Sequence, residues 1–115
     1  MIRVKLVGAG GYGGLGMIEL LLRHPEAKLV ALISRDGAGG PISDIWPYLE
    51  GYCDLKILEA DSAEAREVEA DVTLFATPDG VGQSGAAAEL AAGRKVVDYS
   101  GDFRFNTPEL YAEYA

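Results

Sequence analysis

Short apolar blocks alternate along this chain with stretches in which apolar residues recur at helical spacing, and glycines and prolines mark most of the borders. Residues 2–7 are apolar apart from Arg3 and Lys5 and run straight into glycines, which predicts a first strand. Met17, Ile18, Leu20, Leu21 and Leu22 supply the apolar positions of a first helix. His24-Pro25 ends it, because a residue before proline avoids the α region. Residues 29–33 predict a second, buried strand, 36–41 a glycine-rich loop, and 42–49 a helical turn around Trp46 broken at Pro47. Residues 55–58, 72–76 and 96–99 predict three further strands. Asp61 or Ser62 is suited to cap a brief helix through Glu67, and the alanine-rich residues 81–92 predict a helix stopped by Gly93. Thr107-Pro108-Glu109 has the cap-then-proline order of a last helix start.

Strands that are short apolar blocks, separated by helical segments, imply a parallel sheet covered on both faces. The expected fold class is therefore α/β, a Rossmann-like, doubly wound, mainly parallel sheet that binds ligands outside the carboxyl ends of its strands. A length of 115 residues leaves room for one domain, residues 1–115.

Between the first strand and the first helix lies Gly8-Ala9-Gly10-Gly11-Tyr12-Gly13-Gly14. A lone G-x-G-x-x-G means little, but a strand before it and a helix after it give the context of a dinucleotide cradle. Glycine permits the tight turn and lets backbone approach a pyrophosphate, toward which the unpaired N–H groups of the helix start then point. Two registers are open, Gly8/Gly10/Gly13 and Gly8/Gly11/Gly14. Glycine costs about 1 kcal/mol relative to alanine inside a helix, so Gly13, Gly14 and Gly16 are expected to mark close approach. At the end of the second strand stand Ser34 and Arg35, a hydroxyl and a planar guanidinium, where NAD-preferring folds place a carboxylate for the ribose. A guanidinium suits a 2′-phosphate, so NADP (NADPH) is the expected cofactor, with Asp36 one position later as the counterargument.

Composition narrows the partners. Hydrophobic residues make up 49% and charged residues 24%, as in an ordinary globular chain. The net charge of −8 argues against nucleic acid and against an anionic membrane surface. One cysteine, Cys53, excludes an internal disulfide framework, and no metal site is expected. There is no basic, then apolar, leader pattern and no run of the roughly 20 apolar residues a membrane span requires, so a cytoplasmic location is expected.

Four blocks in order then resemble the N-acetyl-gamma-glutamyl-phosphate reductases of the semialdehyde dehydrogenase family. They are the glycine turn followed by Glu19-Leu20-Leu21-Leu22-Arg23-His24-Pro25; Ser34-Arg35 with Gly39-Gly40-Pro41-Ile42-Ser43 and Trp46-Pro47; Thr77-Pro78-Asp79-Gly80-Val81; and Val97-Asp98-Tyr99-Ser100-Gly101-Asp102-Phe103-Arg104 followed by Pro108-Glu109-Leu110-Tyr111. The resemblance implies an NADPH-dependent reduction of an acyl phosphate to a semialdehyde, in arginine biosynthesis, through a cysteine thioester. It implies cofactor contacts at Gly8, Gly10, Gly11, Tyr12, Gly13, Gly14, Ser34, Arg35, Thr77, Pro78 and Gly80, substrate-phosphate contacts at Arg104 and Ser100, and a homo-oligomeric full-length enzyme. The family's catalytic cysteine, in a glycine-cysteine-tyrosine-proline type motif, and its histidine fall downstream of everything matched here. Residues 1–115 are therefore expected to form the NADP-binding part alone, with no catalytic residue among them. Cys53, between Tyr52 and Asp54, fits an ordinary packed thiol, and His24 a helix end where an imidazolium favours the dipole.

The chain departs from the family at Asp79, where a histidine is usual, and at Gly10 and Gly13, where serine or threonine is usual. The first falls in the loop that the resemblance sets against the nicotinamide ring and alters its carboxamide contacts; the two glycines leave backbone donors alone to meet a phosphate. The alternatives to weigh are an aspartate-semialdehyde dehydrogenase or amino-adipyl phosphate reductase domain, and a non-catalytic nucleotide-sensing domain. An S-adenosylmethionine methyltransferase would place an acidic residue where Ser34-Arg35 stands.

Overall fold

A computed structural model describes residues 1–35, 37–77 and 81–99, with the backbone alone for 81–84. The expected helix start at Thr107 lies outside the described residues. Strands β1 (Ile2–Val7), β2 (Ala27–Ile33), β3 (Ile57–Leu58), β4 (Val72–Phe75) and β5 (Lys95–Asp98) form one sheet in the order β3-β2-β1-β4-β5. Every strand pairing in it is parallel, and an isolated antiparallel bridge joins Pro41 to Lys56 outside it. The order reverses beside β1, so the crevice between the carboxyl ends of β1 and β4 is the topological switch point.

Helix α1 (Tyr12–Arg23) follows β1, α2 (Ala63–Glu67) follows β3, and α3 (Val81–Ala91) follows β4. In α1 the apolar residues Leu15, Met17, Ile18 and Leu21 face one side of the sheet and join Leu6, Leu29 and Leu32 in the main core. With three glycines near its start, this helix draws its stability from that packing rather than from propensity. It stops at His24, which is extended ahead of Pro25. The His24 ring is turned back, however, so that Nδ1 accepts the Glu26 N–H at 3.0 Å. This contact closes the turn between α1 and β2.

Residues 37–56 are more than a loop. Two 3₁₀ turns, Ile42–Asp44 and Pro47–Leu49, carry Ile42 and Leu49 into the same core beside the buried Cys53. Only Ile57–Leu58 of the third expected strand pairs, because the chain before it is still engaged with this segment through the Ile42 N–H to Leu55 O bond. Helix α2 is capped by Ser62, whose Oγ accepts the Ala65 N–H at 3.2 Å, as one of the two candidate caps anticipated.

The opposite face of the sheet is built differently. Lys5 on β1 and Thr73 on β4 are register neighbours, 4% and 0% exposed, and Glu89 of α3 reaches down to both. Its two carboxylate oxygens accept Lys5 Nζ at 2.6 Å, Thr73 Oγ1 at 2.8 Å and Arg94 at 2.8 Å. Arg94 in turn donates to the Arg66 and Val68 carbonyls at the end of α2, and Lys5 donates to the Ala65 carbonyl. Burial pushes the Glu89 carboxyl up, but hydrogen bonds from Lys5 and Thr73, with the Lys5 charge, outweigh it and hold the group below the usual range.

Candidate functional site

The crevice is floored by the glycine turn. Gly8 leaves β1 with φ of 93°, a conformation that strains L side chains, and a Cβ there would strike the Ala76 carbonyl of the β4 end. Gly14 sits directly above it, where a Cβ would strike the Gly8 carbonyl oxygen and come within 2.9 Å of Ala9 Cα. Gly11, between them, is the N-cap residue, with no capping side chain and no acidic residue in the first turn of the helix. The structure thus favours the Gly8/Gly11/Gly14 register, in which the first and last glycines are sterically required. Gly13 has 3.8 Å to both Ala76 Cβ and Tyr99 Cδ2, and Gly16 has nothing within 4 Å. Contrary to expectation, close approach explains only Gly14 of the three: a Cβ at Gly13 would make ordinary van der Waals contact, and the position of Gly16 is open.

What this leaves at the crevice is a helix start whose N–H groups lack a capping acceptor and whose dipole is uncompensated by acid. Such a terminus can receive an anion. Gly8, Ala9 and Gly11 are not among the free donors: the first two give their N–H to the Ile33 carbonyl, at 2.8 and 3.1 Å, pinning the turn to β2, and Gly11 gives its own to the Gly8 carbonyl at 3.2 Å.

Around the turn the structure brings several expected residues together. Ser34, at the β2 end, has its Oγ 2.9 Å from where a Gly10 Cβ would lie. Arg35 is exposed, and no ion pair holds it among the described residues. Thr77 follows β4 with its methyl against Gly8, while its Oγ1 is buried without a hydrogen-bond partner. A buried hydroxyl left so costs about 1–3 kcal/mol, and a polar ligand atom in the crevice would satisfy it. The cradle and the orphaned hydroxyl fit a dinucleotide. Asp36, Pro78, Asp79, Gly80, Ser100, Asp102 and Arg104 lie outside the described residues. Cys53 is 6% exposed in the core and far from nucleophilic use.

One part of the site escaped the sequence reading. Trp46 donates its indole Nε1 to the Ala9 carbonyl at 3.3 Å, and Tyr12 lies against it with ring centroids 5.7 Å apart. Tyr48 ties the same segment to α1 by donating to Glu19 Oε1 at 2.6 Å, a bond that raises its phenol from the ordinary value. A single tryptophan within a Gly/Pro-rich stretch was the available signal. Among the described residues no three His, Cys, Asp or Glu side chains cluster as metal ligands, and no helix is long and apolar enough to cross a membrane.

Comparison with known proteins agrees with this geometry. The chain is 40% identical over 114 residues to the N-acetyl-gamma-glutamyl-phosphate reductase of Nitrosococcus oceani, covering 99% of this chain and 33% of that one. It is 39% identical to the reductase of the same name from Halothermothrix orenii, again over 99% of this chain and 33% of the relative. The chain thus spans about a third of the length of these relatives. Among solved structures, aspartate semialdehyde dehydrogenase with NADP from Candida albicans superposes with a TM-score of 0.77 at 24% identity, covering 92% of this chain and 31% of that one. A probable aspartate-semialdehyde dehydrogenase from Pseudomonas aeruginosa gives 0.69 at 26% identity, over 89% of this chain and 29% of that one. Residues 3–113 match the semialdehyde dehydrogenase NAD-binding domain, and the chain belongs to that family.

Proposed function

We propose that this chain is the NADP-binding part of an N-acetyl-gamma-glutamyl-phosphate reductase, which converts an acyl phosphate to a semialdehyde in arginine biosynthesis. The observation that carries the reading is the pairing of two features at one crevice: a glycine turn with an uncapped, acid-free helix start, and Ser34-Arg35 where a ribose-binding carboxylate would stand. The 40% identity to reductases of that name supports this substrate over the aspartate-semialdehyde alternative, whose solved neighbours are 24% and 26% identical.

In this reading Gly10, Tyr12, Gly13 and Gly14 meet the pyrophosphate through backbone N–H groups, while Gly8 shapes the turn and Gly11, whose N–H is given to the Gly8 carbonyl, lets the backbone approach it. Ser34 and Arg35 take the adenosine ribose and its 2′-phosphate, and Thr77, with Pro78 and Gly80, borders the nicotinamide half. NADPH, when bound, supplies the hydride that releases the semialdehyde. The chain's own residues bind it, orient it against the carboxyl edge of the sheet and keep the pyrophosphate on the helix dipole. Ser100 and Arg104, which come after β5 in the sequence, are assigned to the substrate phosphate, for which a planar guanidinium is the matching fork. The nucleophilic thiol is not Cys53. The functioning enzyme is a cytoplasmic homo-oligomer without nucleic-acid or membrane partners.

Calorimetric titration tests the cofactor assignment. The protein should bind NADPH more tightly than NADH by about ten- to hundredfold, the worth of an arginine–phosphate pair of roughly 1.5–3 kcal/mol. Arg35→Ala should remove most of that preference. Equal affinity for the two cofactors in the unaltered protein would overturn it.

A further inference from the structure

We propose that Tyr12, braced by Trp46, is an aromatic platform on which the purine base of the dinucleotide stacks, and so decides how tightly the adenosine half is held. The inference rests on the cofactor reading above and names the side chain that meets one end of that nucleotide.

Tyr12 opens α1, yet it is 85% exposed and adds little to the core. It is nevertheless held. Its ring meets the Trp46 indole at 5.7 Å with the planes tilted by 47°, within the range that aromatic pairs prefer. The indole is itself fixed twice, by its bond to the Ala9 carbonyl and by packing against the main core. A ring supported by a fixed partner and otherwise open to solvent is preorganised to receive another flat π system, because little ordering entropy remains to be lost.

Position selects the base. Trp46 belongs to the connection that leaves β2, and its neighbour Ile45 reaches within 3.5 Å of the Cβ position at Gly10, beside the Ser34 hydroxyl. Tyr12 and Trp46 therefore flank the helix start on the β2 side. Gly13 faces the opposite way, toward Ala76 after β4 and Tyr99 after β5. In sheets of this order the adenosine ribose is held at the β2 end, so the purine attached to it is the ring within reach of Tyr12.

The test divides the cofactor. Adenosine 2′,5′-bisphosphate and nicotinamide mononucleotide are titrated separately, with NADPH as the whole, into the unaltered protein, Tyr12→Ala and Tyr12→Phe. Tyr12→Ala should raise the Kd for the bisphosphate and for NADPH by about tenfold, the usual worth of one base–aromatic stack, and leave the mononucleotide where it was. Tyr12→Phe should keep the affinity, since the ring and not the hydroxyl is used. Because the residue is exposed, the thermal midpoint should hardly move, which a merely structural ring contact would not predict. Unchanged bisphosphate affinity in Tyr12→Ala, or equal losses for both halves, would overturn the platform. An unaltered protein that binds neither NADPH nor NADH would instead overturn the cofactor reading itself.

Discussion

The two faces of the sheet solve the same problem with opposite chemistry. Under α1, Leu6, Ile18, Leu29 and Leu32 close over one another with nothing polar to satisfy. Under α2 and α3, a lysine, an arginine, a glutamate and a threonine are buried together at the centre of the sheet. The apolar face gains by area removed from water and tolerates gradual change. The ionic face has no such gradation: each charge is tolerable only while its partners are in place. The difference also serves function, since the apolar face carries the glycine turn and its brace, while the ionic face staples α2 and α3 to β1 and β4 below the crevice.

The largest break should come from Glu89→Ala, which strands Lys5 and Arg94 at 5% and 8% side-chain exposure. A loss of about 3–5 kcal/mol is expected from urea unfolding. Leu32→Ala on the other face should cost about 2–5 kcal/mol by cavity formation. Pairing Glu89→Ala with Lys5→Met separates the two cases, because removing both charges should recover part of the loss while no partner can rescue Leu32→Ala. Additive losses would dissolve the contrast.

Acid attacks the same network more gently. The folded-state Glu89 carboxyl titrates below its ordinary 4.5, so the folded protein binds fewer protons there than the unfolded chain. Its contribution is fully present above about that value and disappears as the pH falls through the lowered folded-state value. Unfolding midpoints measured downward from neutrality should therefore decline in the acid range, and the decline should shrink in Glu89→Gln.

On the apolar face the glycines sharpen the comparison. Gly14→Ala should destabilise by about 1–3 kcal/mol, because its Cβ meets backbone and cannot be repacked away. Nucleotide affinity should fall with it. Gly16→Ala, two residues on and in open space, should raise stability by roughly 0.5–1 kcal/mol through helix propensity alone. Thermal melts of the two variants should move in opposite directions.

Thr77→Val is of similar size and carries two signs. Removing an unpartnered buried hydroxyl should stabilise the nucleotide-free protein by about 1 kcal/mol. It should also weaken NADPH binding several-fold if the ligand is what satisfies that oxygen. A destabilised variant would show that the hydroxyl is already satisfied in the free protein.

The sequence determined a good deal by itself. Strand–helix alternation is a local property, and a parallel sheet covered on both faces follows from short apolar strands, whereas the reversal of strand order beside β1 is visible only in the fold. The glycine run between strand and helix and the ordered blocks up to Arg104 pointed to the family. Tertiary structure decided the rest, because those facts depend on distance through space. Which glycines are sterically required emerged only once Gly14 stood over Gly8. The brace from residues 42–49 was illegible because no local pattern says that an indole will turn back to the Ala9 carbonyl, 37 residues earlier. Lys5 was visible as a charge inside an apolar block, but its answer, Glu89, lies 84 residues away. A buried charge states that a partner must exist; only the fold names it.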